Sequence, residues 1–154
     1  MRRFFAFLAG MAMAGTAQAG APDGAAIFQQ QCSACHQPNG QGLPGQFPPL
    51  AGNPDIFLAR DFPLRVVLFG MTGTIHVKGQ TIQGAMPPLG EVLKDDEIAA
   101  VVNFVRASWG NAALRPATMA PVTPAMVAAL RAQKQALADR VFDYRKSFKA
   151  AAKH

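Results

Sequence analysis

Cys32-Ser33-Ala34-Cys35-His36 gathers the chain's two cysteines and one of its three histidines into five residues. Cys-x-x-Cys-His is the spacing of c-type haem attachment. Two thiols separated by two residues on a helical turn can each add to one of the porphyrin's two vinyl groups, giving two thioether bonds. The next residue, His36, then projects its imidazole over the ring centre as the proximal iron ligand. Two other chemistries use similar spacing. A thioredoxin-like redox pair would follow a strand and has no need of the histidine. A zinc site would need a second pair of ligands, and the chain has no other cysteine. The residues therefore point to one haem c, bound covalently through Cys32 and Cys35.

A haem iron held by one histidine has a sixth position that is either ligated or open. Met86 fits it. It follows the flexible Gly84-Ala85 and precedes Pro87-Pro88, whose rings restrict the backbone enough to hold a thioether in place. Met71 and His76 lie in the same region and remain alternatives on spacing alone, and most methionines simply fill gaps in a core.

The surrounding sequence divides into helical pieces and breaker-rich loops. Asp23 is a good N-cap for a first helix running to the haem motif, with Gly24 and Phe28 on one face. Nine Gly and Pro residues between Gln37 and Pro54 exclude a regular element there. So long an irregular stretch suits a segment that wraps a flat cofactor. Leu64 to Phe69 reads as a short helix with Pro63 in its first turn and Gly70 as its stop. Residues 71–90 read as loop. The clearest helix spans Asp95 to Trp109, with Asp95, Asp96 and Glu97 at the positive end of its dipole. Ile98, Val101, Val102, Val105 and Trp109 form its apolar stripe, and Gly110-Asn111 ends it.

Both ends carry further information. Met1-Arg2-Arg3, the apolar run from Phe4 to Ala14 and Ala17-Gln18-Ala19 have the order of a secretory signal peptide, with cleavage expected after Ala19. The mature chain is then expected in the periplasm. Residues 20–113 form the haem domain, and residues 20–115 carry six Lys/Arg and seven Asp/Glu. Residues 114–123 read as a linker. Residues 124–154 read as a basic amphipathic helix, capped by Thr123 with Pro124 at its first position. Residues 116–154 carry seven Lys/Arg against two Asp/Glu. Its Val127, Leu130, Leu137, Val141, Tyr144 and Phe148 form a stripe that either packs back on the haem domain or leaves the basic face to dock an acidic partner or an anionic membrane surface. No nucleic-acid partner is expected.

His36, the Pro-rich loop and Met86-Pro87 before a final amphipathic helix together resemble the class I c-type cytochromes, over roughly residues 21–112. FPPLAGNP at 47–54, Arg65-Val66-Val67-Leu68 and Arg106-Ala107-Ser108-Trp109-Gly110-Asn111 are similar to single haem domains of the cytochrome c subunits of bacterial alcohol dehydrogenases. The resemblance implies an all-α shell around one haem, His/Met ligation by His36 and Met86, and crossing of the first and last helices at Gly24 and Phe28. Lys94 departs from the family's usual Ser or Thr cap, leaving Asp95 to cap that helix. The function implied is single-electron transfer between a dehydrogenase or respiratory complex and a reductase or oxidase, without catalysis. Two other readings stand beside it: a sensing or catalytic haem protein with a labile sixth site, and a fixed cytochrome subunit of one dehydrogenase complex.

Overall fold

The structure, a computed structural model, describes residues 20–133 and 145–146. The expected signal segment 1–19 lies outside the described residues. Helix α1, Gly24–Gln31, starts where the sequence places it, with the Asp23 carboxylate accepting from the amides of Ala25 and Ala26. Cys32 makes the joint to a single turn, α2, Ser33–His36. The Gly/Pro-rich segment after it is irregular apart from a bridge between Leu43 and Phe47. It leads into a 3₁₀ turn, Pro54–Phe57. Helix α3, Phe62–Phe69, is stopped by Gly70 at φ +74°.

Residues 71–90, expected as loop, hold an antiparallel hairpin. Strands β1, Met71–Val77, and β2, Gln80–Met86, pair in register from Met71 opposite Met86 to Val77 opposite Gln80. Lys78 and Gly79, both at positive φ, make the two-residue turn that matches strand twist. Ile75, Val77 and Ile82 on one side form a small buried cluster against which Met71 packs. The all-α expectation thus holds for most of the described residues, with this two-stranded sheet added to it.

Helix α4, Asp95–Ala107, is the backbone of the domain, and it stops two residues before the expected Trp109. Ser108 turns its hydroxyl onto the Phe104 carbonyl at 2.7 Å. Trp109 at φ +50° then folds back onto the α1–α4 crossing. There Phe28 sits 5.7 Å from the Phe104 ring and 5.0 Å from the Trp109 ring. Gly24 is required at this crossing, because a Cβ would come within 2.8 Å of the Ala100 carbonyl carbon and 2.9 Å of the Phe104 Cβ. The capping of α4 also differs from expectation. Lysine has no acceptor, but Glu97 reaches back to the Lys94 amide at 2.7 Å and Asp96 takes the Glu97 amide at 2.9 Å. Asp95 instead pairs with Arg131 at 2.7 Å.

After a 3₁₀ turn, Asn111–Leu114, the segment read as a linker is clamped rather than loose. Asn103 exchanges two hydrogen bonds with the backbone of Val122, and Arg60 donates to the carbonyls of Ala120 and Pro121. Helix α5, Pro124–Arg131, has the expected Thr123 cap. It ends at Arg131 with a turn at residues 132–133, and the rest of the helix expected over 124–154 lies outside the described residues apart from 145–146. Residues 134–144 and 147–154 lie outside the described residues. Val127, fully buried, and Leu130 join Leu64, Leu68, Leu93 and Ile98 in the main core. Among the described residues no helix is long and apolar enough to cross a membrane.

Candidate cofactor site

Between α1–α2, α3, the hairpin and α4 lies a cavity that opens to solvent. Its lining is apolar with a few placed polar groups, as cofactor pockets are. Cys32, His36, Met71 and Met86 all line it, among Phe28, Leu50, Ile56, Phe62, Val66 and Val102. The sequence-predicted site residues are therefore brought together, except that Cys35 is exposed and lies outside the lining, one helical turn beyond Cys32.

Each of these residues is held by its local structure. The amide of His36 donates to the Cys32 carbonyl at 2.9 Å, closing the turn on which both sit. The His36 ring is 8% exposed, and its Nδ1 lies 3.0 Å from the Pro48 carbonyl. Neutral imidazole donates from Nδ1 to that oxygen, which fixes the tautomer and leaves the Nε2 lone pair for a metal. Burial lowers the imidazole pKa below its ordinary 6.5, against the smaller opposing effect of the Pro48 hydrogen bond, so neutral pH finds it in the ligating form. Burial, reinforced by the neighbouring Cys35, pushes the Cys32 thiol up to about 11. Met86 ends β2 immediately before Pro87-Pro88, and its carbonyl lies against Gly70, where a Cβ would come within 2.5 Å.

The residues present fit a haem. An apolar space is lined by a neutral imidazole, two methionines and the Cys32 thiol, with Cys35 one helical turn further on. No group of three or more His, Cys, Asp or Glu suited to a bare metal ion occurs among the described residues.

Sequence reasoning missed the charged part of the wall. Arg65 of α3 and Lys78 of the hairpin turn are engaged elsewhere: Arg65 with Asp61 at 2.7 Å and Lys78 with the Ala51 carbonyl at 3.0 Å. The cations that do line the cavity are Arg106 and Arg145, each 5% exposed. Arg106 donates to the carbonyls of Ile56, Ala59 and Arg60 and lies 5.4 Å from the Phe57 ring centre. Burial, with Arg60 adding to it, pulls its guanidinium down to about 10, so it stays charged at neutral pH. Arg145 reaches in from the C-terminal segment to Asp55 at 2.5 Å and to the His76 carbonyl at 3.0 Å. Only the tertiary fold joins partners 90 residues apart.

Known proteins resemble the chain in the same terms. The family model described as Cytochrome c matches residues 21–109. A cytochrome c-552 of Thermus thermophilus is 44% identical over 144 residues, which is 88% of this chain and 91% of that protein. A second Thermus thermophilus cytochrome c-552 is 45% identical over 126 residues, 77% of this chain and 94% of its own. The alcohol dehydrogenase (quinone) cytochrome c subunit of Komagataeibacter europaeus is 38% identical over 102 residues, 65% of this chain but 21% of that subunit.

Proposed function

Because the chain belongs to the cytochrome c family and is a monohaem c-type electron carrier, we propose that Cys32 and Cys35 carry the haem and that His36 and Met86 are its axial ligands. The carrier works in the periplasm, after removal of residues 1–19. The observation that carries this reading is the shared cavity. His36, its tautomer fixed by the Pro48 carbonyl, and Met86 line one apolar space together with Cys32, and Cys35 follows on the same turn.

When bound, haem supplies a one-electron iron couple. The protein sets the conditions for it. Phe28, Leu50, Val66 and Val102 exclude water from the cavity, which disfavours the extra positive charge of the oxidised state; a thioether ligand favours the reduced state further. Two axial ligands leave no position for a substrate, so the chain transfers electrons and catalyses no reaction of its own. Transfer then proceeds through a small, transient contact with a redox partner. Relatives that are dehydrogenase cytochrome subunits support a dehydrogenase as donor. The acceptor is a respiratory complex, reductase or oxidase. Cations of the C-terminal segment contribute the partner-facing or membrane-facing charge.

The test is spectroscopic. Holoprotein denatured in acid acetone should keep its haem on the polypeptide, the ferrous protein should be low-spin, and carbon monoxide should bind slowly or not at all. Haem extracted freely would refute attachment through Cys32 and Cys35, and rapid stoichiometric carbon monoxide binding would replace Met86 with an open site.

A further inference from the structure

Met71 and Met86 are register partners across the hairpin, and both line the cavity. Residues directly opposite in an antiparallel pair place their Cβ atoms about 4.5–5.5 Å apart and on the same face. Each methionine then has three rotatable side-chain bonds, enough to bring either sulfur to a shared point in front of the sheet. The burial pattern confirms the face: Ile75 and Val77 of β1 and Ile82 of β2 lie on the same side and are buried, while Thr72, Thr74 and His76 are exposed. The two backbones are also tied at this end, since Gly70 packs on the Met86 carbonyl and the Leu89 amide donates to the Val67 carbonyl at 2.8 Å.

The rest of the cavity wall offers the iron little else. Asn53 bonds the Pro49 carbonyl and the Asp55 amide, Asp55 is paired with Arg145, and an arginine is no ligand. Among the described lining residues, once Cys32 and His36 are set aside, the soft donors are these two thioethers.

We propose that Met71 is a second, reserve thioether ligand, which takes the iron's sixth position whenever Met86 leaves it. The proposal rests on the reading of Met86 as the resident ligand. Pro87-Pro88 holds Met86 in place, whereas Met71 stands at a strand start behind Gly70 and packs on the Ile75–Val77–Ile82 cluster until it is needed. The exchange trades one neutral sulfur for another, so the low-spin state and the thioether character of the site survive the loss of either methionine alone.

Holoprotein variants Met86→Leu, Met71→Leu and the double variant test it. Leucine conserves volume, so the fold is expected to hold in all three. The readouts are the ring-current-shifted thioether methyl resonance of the ferrous protein and carbon monoxide binding. The expected result is that Met71→Leu leaves both unchanged. Met86→Leu keeps a thioether methyl resonance, at a new position assigned to Met71, and still resists carbon monoxide. The double variant loses the resonance and binds carbon monoxide freely. A Met86→Leu protein that behaves like the double variant overturns the reserve role and leaves Met86 as ligand. A low-spin Met86→Leu protein with no thioether resonance also overturns it, because some other group has taken the iron. Loss of the resonance in Met71→Leu, with its retention unshifted in Met86→Leu, overturns both the reserve role and the assignment of Met86.

Discussion

Asn111 is fully buried and its amide joins three parts of the cavity frame. Its Nδ2 donates to the carbonyls of Leu50, at 3.0 Å, and Val105, at 2.7 Å, while its Oδ1 accepts from the Gly52 amide at 2.7 Å. Val105 is in the last turn of α4, whose carbonyls lack partners within the helix. Leu50 lines the cavity, and Gly52 sits two residues on. Asn111→Ala removes all three bonds. At about 1 kcal/mol net per neutral bond the loss is about 3 kcal/mol, and stranding the Gly52 amide without water raises it to about 3–5 kcal/mol. Against a domain stability of about 5–15 kcal/mol this is large. Guanidinium unfolding of the holoprotein, followed by the fluorescence of the single tryptophan, Trp109, should show a midpoint lower by about 1 M. Because the 50–52 loop would be released into solvent, the reduction potential should fall as well. Asn111→Asp keeps an acceptor for Gly52 but sets a carboxylate against two carbonyls. Its folded pKa would be raised above the unfolded value, so its deficit should shrink as pH falls towards the ordinary carboxylate range. A midpoint for Asn111→Ala within about 0.2 M of the parent would refute the idea that this side chain fastens the loop to α4.

Three further outcomes follow from the packing. Gly24→Ala drives a Cβ into the Ala100 carbonyl across the α1–α4 crossing and should cost about 1–3 kcal/mol, read as a lower melting temperature of the holoprotein. Val127→Ala, at a site with no exposure, removes two methylene equivalents from the main core and should cost about 2 kcal/mol by denaturant unfolding; an unaffected midpoint would mean that α5 does not stabilise the domain. Arg145→Gln breaks the buried pair with Asp55 and should cost up to about 3–5 kcal/mol, with a double-mutant cycle including Asp55→Asn returning a coupling energy well above zero.

The local features of the fold were legible because their causes are local. Asp23 caps α1 through its own carboxylate, Pro63 and Gly70 bracket α3, and the attachment motif carries its own turn. The hairpin was also written in the chain, as apolar residues alternating on either side of Lys78-Gly79. The threonines and glycines of 71–90 outweighed that alternation, because the apolar face of these strands is short and covers a cofactor cavity instead of a second sheet. Trp109 fitted the helical period of α4, yet its ring is used on the far side of a chain reversal, against Phe28 and over Gly40, where a Cβ would come within 2.7 Å of the indole. The polar frame was not legible. Asn111 to Leu50, Arg106 to Ile56 and Arg145 to Asp55 all span tens of residues, and no spacing rule connects them.

The C-terminal segment shows what that difference means for function. As a sequence, it reads either as a helix that packs back on the haem domain or as one that leaves a basic face to dock. In the fold, two of its cations are already engaged inside the protein. Arg131 pairs with Asp95 and donates to the carbonyls of Gly90 and Leu93, closing the turn before α4. Arg145 forms part of the cavity wall. Val127 and Leu130 sit in the same core as α3 and α4, so packing is the structural role of 124–131. Deleting residues 117–154 would therefore remove core and cavity wall together, and the haem spectrum should change with it. A docking role for the segment has to rest on its remaining cations and be tested by neutralising those alone, with Arg131 and Arg145 left in place. The reaction with a redox partner should then slow at low salt and lose its salt dependence, while the spectrum stays that of the parent.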